Sequence, residues 1–123
     1  MTTPIRFVLV GAAVLLVAPV WAQDAKTSPA RVVTKTLVVS EAQKECLSLN
    51  NRQRLHYKFR ADGPLNFKVS HQEEKEIIDF KRDGTDSASG SFVPRKAGDY
   101  CLVWSNTGKH SVTLRYELQR GSQ

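Results

Sequence analysis

Long apolar segments are scarce in this 123-residue sequence, and only one occurs, from Phe7 to Ala18. It is shorter than the roughly 20 apolar residues that span a bilayer. Arg6 supplies a positive charge before it, and Val20-Trp21-Ala22 follows with side chains that fit a signal-peptidase site. We therefore interpret residues 1–22 as a removable signal peptide, with an uncleaved membrane anchor as the alternative. The exported protein would be periplasmic or extracellular, with no transmembrane segment in its mature chain.

Sequence signatures of common catalytic sites are also absent. There is no Gly-x-Ser-x-Gly elbow, His-Glu-x-x-His zinc motif, phosphate-binding loop or dinucleotide-binding fingerprint. The carboxylates Glu73, Glu74 and Glu76 share a charged turn with Lys75, whereas acid/base catalysis needs tuned, partly buried carboxyl groups. We expect a solvated turn here and no enzymatic activity.

Histidine is rare, and its three copies do not suggest a shared metal site. His56 falls on the polar face of one predicted strand. His71 continues the apolar alternation of the next strand, and His110 lies at the start of the last. None lies near a cysteine in sequence. We expect surface or rim histidines, with no metal ion and no other cofactor.

Cysteine is limited to Cys46 and Cys101. An even pair in an exported chain indicates a disulfide. Its loop would stabilise the fold by about 4 kcal/mol in the chain-entropy model. A redox or metal-binding pair is the alternative, but the spacing fits neither a Cys-x-x-Cys motif nor a zinc knuckle.

No segment has the apolar period of an amphipathic helix, and alternation with period two prevails from residue 34 onward. Strands are predicted at 34–39, 45–49, 53–61, 65–69, 77–80, 86–93, 100–104 and 111–118. Turn-forming residues recur between these segments, which is typical of a β-sandwich. We predict an all-β, two-sheet antiparallel β-sandwich of about eight strands at residues 34–120. A flexible leader at residues 23–33 would precede it.

The segment 53–71 is predicted to form a β-hairpin around a turn at Asp62-Gly63-Pro64. Apolar and polar residues alternate on both sides of this turn. Tyr57, Phe59 and Phe67 would lie on the buried face, with Phe59 opposite Phe67. Alternation would place the intervening basic side chains on the other, exposed face.

That exposed face is the candidate binding site. Its basic side chains are Arg54, Lys58, Arg60 and Lys68. The hairpin would set Lys58 directly opposite Lys68, and opposed like charges cost stability unless a partner compensates them. The alternative is that these side chains splay into solvent and only protect the sheet from edge pairing.

The net charge favours anionic partners. It is +6 for the whole chain, and loss of Arg6 with the signal peptide lowers it to +5. Export argues against nucleic acid as the physiological partner. A partner protein is the preferred interpretation, and anionic lipid or cell-envelope polysaccharide is the alternative.

The last third of the chain resembles the closing motif of GOLD (Golgi dynamics) domains. A glycine turn at Gly98 leads into the strand Tyr100-Cys101-Leu102-Val103-Trp104-Ser105-Asn106, followed by a final strand, Val112 to Leu118. Leu55–Phe59 and Leu65–Val69 are similar to the family's paired central strands, and Lys44-Glu45-Cys46 to its cysteine segment in cargo receptors. The resemblance spans residues 35–118. It implies a β-sandwich, here a stand-alone secreted or periplasmic domain, that binds protein or lipid without catalysis.

Export predicts a specific processing product. Cleavage after Ala22 should give a mature chain that begins at Gln23. N-terminal sequencing of exported material should find Gln23 first. An intact Met1 in that material would contradict the prediction.

Overall fold

The structure, a computed structural model, describes residues 29–123. The predicted signal peptide and most of the predicted leader lie outside these residues. Six strands form the described part: β1 (Arg31–Leu37), β2 (Ala42–Leu49), β3 (Gln53–Gln72), β4 (Glu76–Phe92), β5 (Gly98–Ser105) and β6 (Val112–Ser122). The domain therefore begins at Arg31, three residues before the predicted boundary, and residues 31–33 belong to β1 rather than to a leader.

No helix capable of crossing a membrane occurs within residues 29–123. The prediction of an all-β protein is confirmed for this part of the chain.

The six strands form one antiparallel sheet in the order β1-β6-β3-β5-β2, and β4 lies on the other side of β3. Strand β3 connects the two halves of this sheet. Its residues 53–61 pair with β6, its residues 66–71 pair with β5, and β4 follows it through both halves. The sheet curls so that the inner faces of the halves meet. The structure thus has six strands in one curled sheet instead of about eight in two sheets.

Two segments predicted as turns between strands are bends within single strands in the structure. Asp62-Gly63-Pro64 lies inside β3, and Lys81–Gly84 lies inside β4. The β3–β4 register shifts between Arg60 and Leu65, as it does at a β-bulge, and Gly84 has a positive φ of 64°. The glycines and proline of these segments bend the paired strands β3 and β4 without ending them. From the local sequence alone, the same residues predict that the chain reverses direction.

The predicted hairpin at 53–71 is therefore wrong. Ala61 pairs with Leu114 of β6 instead of with Leu65. Lys58 does not pair with Lys68, because these residues lie in different halves of the sheet.

The predicted buried face of β3 is nevertheless correct. Tyr57, Phe59 and Phe67 are buried, and the rings of Phe59 and Phe67 lie 4.9 Å apart between centroids. Curling of the sheet, and not strand pairing, brings these two rings together. Trp104 of β5 is fully buried between Phe67 and Tyr116, with centroid distances of 5.4 and 4.2 Å.

The predicted disulfide is confirmed. Cys46 of β2 and Cys101 of β5 are bonded and lie directly opposite each other, with a Cα–Cα distance of 4.0 Å. The bond joins neighbouring strands on the outer face of the sheet, whereas a sandwich would have used it to join distant ones. Tyr100 and Leu102, on either side of Cys101, are buried.

Asn106 is the main polar group in the core, with no exposed surface. Its side-chain amide donates to the carbonyl oxygens of Leu37 (3.0 Å) and His110 (2.8 Å) and accepts from the Gly108 N–H (3.0 Å). Its backbone also bonds to Ser40 and Glu41. One side chain thereby ties the β1–β2 turn to the β5–β6 connection.

Replacement of this amide should destabilise the fold strongly. In Asn106→Ala, the buried carbonyl of Leu37 and the Gly108 N–H lose their partners, and we expect a loss of about 3 kcal/mol of unfolding free energy. Urea denaturation measures it. Thr107→Ala, at the exposed neighbouring position, is the control and should change stability by no more than about 0.5 kcal/mol. A similar small effect of both variants would contradict the prediction.

Candidate functional site

An open groove of about 700 Å³ lies on the outer face of the sheet, where β4, β3 and β6 run side by side. We call it the basic groove. Its cations are Lys58, Arg60 and Arg115, and its other lining side chains include Asp62, Ser87, Ser89, Thr113 and Glu117.

Strand alternation places the cations of β3 in this groove. Tyr57 and Phe59 are held inward by the core, so Lys58 and Arg60 must point outward. Register then fixes their neighbours. Lys58 lies between Ser89 of β4 and Glu117 of β6, and Arg60 lies between Ser87 and Arg115 in the same strands.

The positive charge of the basic groove is only partly neutralised. Arg115 donates to Glu117 at 3.0 Å. Within residues 29–123, neither Lys58 nor Arg60 forms an ion pair, and both are exposed. Arg60 also lies directly opposite Arg115, a like-charge pair that costs stability in a sheet. The three cations of the groove outnumber its two carboxylates, Asp62 and Glu117, and Lys58 and Arg60 are left without an ion pair in the described part of the chain.

The other two predicted site residues lie elsewhere. Arg54 is half-buried near the start of β3, and its buried Nε has no hydrogen-bond partner among the described residues. Lys68 lies in the other half of the sheet, where its Nζ forms an ion pair with Glu76 at 3.0 Å. The structure thus brings together two of the four predicted residues, Lys58 and Arg60.

Arg115 is the site residue that the sequence analysis missed. Every second residue of the last strand is polar, at Thr113, Arg115 and Glu117, and this alternation predicts that the three side chains lie on the exposed face. The position of Arg115 beside Arg60 depends on the pairing of β6 with β3, which local sequence patterns do not reveal.

A second groove lies beside the disulfide, where the edge strands β1 and β2 approach each other. Its two cations, Arg31 and Arg120, are balanced by two carboxylates, Glu45 and Asp99. Arg31 forms an ion pair with Glu45 at 3.0 Å, and the Tyr116 hydroxyl donates to the same carboxylate at 2.6 Å. Burial, followed by the bond to Glu45, raises the pKa of Tyr116 to about 12. This groove offers a partner less unpaired charge than the basic groove.

Comparisons with known proteins add little. No protein-family model matches the chain, and no curated protein does. Among solved structures, the chain is similar to a de novo designed double-stranded β-helix determined by NMR in solution. The identity is 15%, the match covers 72% of this chain and 97% of the other, and the TM-score is 0.44. A likeness at this level carries no argument about function.

The histidines lie apart, and one is enclosed by carboxylates. His71 Nδ1 lies 2.7 Å from Asp79, and its Nε2 lies 2.7 Å from Glu73, which also pairs with Lys96 at 2.9 Å. These bonds fasten the β3–β4 turn to the β4–β5 loop. A neutral imidazole has only one N–H and could donate to only one of the two carboxylates. The hydrogen bonds to Asp79 and then to Glu73 therefore raise the pKa of His71.

This network predicts a pH-dependent contribution to stability. Because the folded-state pKa of His71 is raised, its contribution is complete below the unfolded value and is lost as the pH rises through the folded value. From about pH 6 to about pH 8.5, wild-type unfolding free energy should therefore fall relative to that of His71→Gln. Urea denaturation across this range measures the difference. His110→Gln, at an exposed position, is the control and should follow the wild type. A constant difference between wild type and His71→Gln would contradict the prediction.

Proposed function

We propose that the protein is a non-catalytic binding module that engages an acidic partner protein through the basic groove. The observation that carries this proposal is the unpaired state of Lys58 and Arg60 in one open groove, within the described residues. Some other cations of residues 29–123 are paired with a carboxylate, as Lys68 is with Glu76 and Lys96 is with Glu73, whereas Lys58 and Arg60 share one groove without an ion pair.

The shape of the groove suits docking. Its cations are exposed to water, which favours electrostatic steering of a charged partner. The serines of β4 leave room beside Lys58 and Arg60, so a carboxylate could approach either cation without displacing a bulky side chain. Catalysis, in contrast, works best in a water-excluded site with preorganised groups.

Export and the GOLD-like fold belong to the same proposal. The Cys46–Cys101 disulfide supports an oxidising compartment, in agreement with the proposed signal peptide at residues 1–22. The two halves of the curled sheet would correspond to the two layers of a GOLD-like sandwich. In support, β3 and β4 each run through both halves, so division at their bends would give eight strand segments.

Paired charge-removal variants test the proposal. Lys58→Gln/Arg60→Gln removes two charges from the basic groove, and Lys68→Gln/Lys81→Gln removes two from the other half of the sheet. With a deca-glutamate peptide as the probe, the groove variant should slow association about three- to ten-fold at low salt, because each exposed ion pair is worth under about 1 kcal/mol. The control variant should stay within about two-fold.

Stopped-flow kinetics between about 20 and about 300 mM salt measure both effects. The salt dependence of association should be weaker for the groove variant than for the wild type. Equal slowing by both double variants would mean that only net charge matters and would contradict the proposal. Sedimentation with anionic phospholipid vesicles, in the absence of peptide binding, would favour the lipid alternative instead.

A further inference from the structure

In the described part of the chain, the outer edge of β4 has no neighbouring strand. Among residues 29–123, β4 pairs only with β3, although it is 17 residues long. Alternate N–H and C=O groups along its free side therefore point away from the sheet. An exposed row of this kind is a template for pairing with another chain.

Most sheet edges in this protein carry charged residues that discourage such pairing. Strand β1 has Arg31 and Lys35, and β2 has Lys44 and Glu45. The part of β4 before Ser87 is also protected, by Glu76, Asp79, Lys81, Arg82, Asp83 and Asp86.

The second half of β4 is different. The segment Ser87–Phe92, which we call the open edge, has the sequence Ser-Ala-Ser-Gly-Ser-Phe. It contains no charge, no proline and only one large side chain. Charge and proline, two common means by which proteins block an edge, are therefore absent. Apart from the pairing with β3, only the backbone of Ser87 is already bonded among the residues that the structure describes, to the Thr85 hydroxyl.

The open edge borders the basic groove. Ser87 lies opposite Arg60, and Ser89 lies opposite Lys58. Strands are spaced about 4.8 Å apart, so a strand added beside β4 would lie about 10 Å from β3. Only the short serine side chains would separate the outward side chains of that strand from Lys58 and Arg60. A glutamate in the added strand could reach over them to either cation.

The inner side of the open edge also accepts a neighbour. Ala88 and Gly90 point to the core side, and a Cβ atom at Gly90 would lie 2.9 Å from the Tyr57 hydroxyl oxygen. The buried Tyr57 ring thus lies against Gly90 on the inner side of the edge. An apolar side chain on the inner face of that strand would extend the core.

From these features we infer that the acidic partner binds as an extended segment, with acidic and apolar residues in alternation, that adds a strand to the open edge. The inference rests on the proposed function and names its binding mode. Backbone hydrogen bonds would supply affinity, and contacts of the acidic side chains with Lys58 and Arg60 would supply specificity.

The test uses the peptide acetyl-Glu-Val-Glu-Val-Glu-Val-Glu-amide and the ¹⁵N-labelled protein. Peptide binding should slow hydrogen exchange at alternate amides within Ser87–Phe92 and leave the edge amides of β1 and β2 unchanged. Two N-methylated forms of the peptide, modified at valines or at glutamates, block one peptide edge each. One form should lose affinity by at least about ten-fold, since several backbone hydrogen bonds are lost together, while the other should retain it.

The outcomes separate the binding mode from the proposed function. If the peptide binds, depends on Lys58 and Arg60, but protects no amide in the open edge, strand addition is overturned and the proposed function stands. If a lysine analogue of the peptide binds equally well and protects the same amides, strand addition stands and acidic selectivity is overturned. Absence of binding by the unmodified peptide at millimolar concentration, when deca-glutamate binds, overturns strand addition alone, and absence of binding by both peptides overturns both.

Discussion

The unbroken side-chain alternation of β3 is the constraint on which the rest of the structure depends. This 20-residue strand belongs to both halves of the sheet, and its apolar side chains point inward from Leu55 to Val69. A slip of one residue at the bend would turn one half of the strand around and bring Lys68 toward the core. The bend itself needs Gly63, because a Cβ atom there would lie 2.9 Å from Cγ2 of Val112. Glycine at this point lets β3 change direction and keep both inner faces in contact with one core.

Hydrogen bonds connect the turns at each end of the curled sheet. At one end, Asn106 connects the β1–β2 turn with the chain that enters β6. At the other, the Gln123 backbone N–H bonds to Arg52, and its side chain donates to the Asn51 carbonyl oxygen. The disulfide holds β2, an edge strand that pairs only with β5 among the described residues, against its neighbour. Edge elements of the described fold are thus secured by specific bonds as well as by the aromatic core.

Alternation in the sequence was sufficient to predict which side chains are buried but not which strands are neighbours. The inward positions of Tyr57, Phe59 and Trp104 follow from period two alone. In a strand with one solvated face, apolar and polar side chains alternate. The course of the chain at Asp62-Gly63-Pro64 does not follow from this alternation, because the same residues suit a reversal or a bulge. Pairing with β6 decides between them, and that contact joins residues more than 50 positions apart. For the same reason, the carboxylate partner Asp79 of His71 could not be predicted before the register of β4 was known.

The small, uncharged residues of the open edge can be explained separately for the inner and the outer face of the sheet. On the inner face, the ring of Tyr57 leaves room only for small residues, which accounts for Gly90. On the outer face, serine avoids two extremes, because a hydrophobic edge promotes aggregation and a charged edge discourages strand pairing. A small, polar, uncharged edge allows pairing but gives it little selectivity. In the proposed binding mode, selectivity comes from the next strand, where Lys58 and Arg60 are positioned by the same alternation that buries the core.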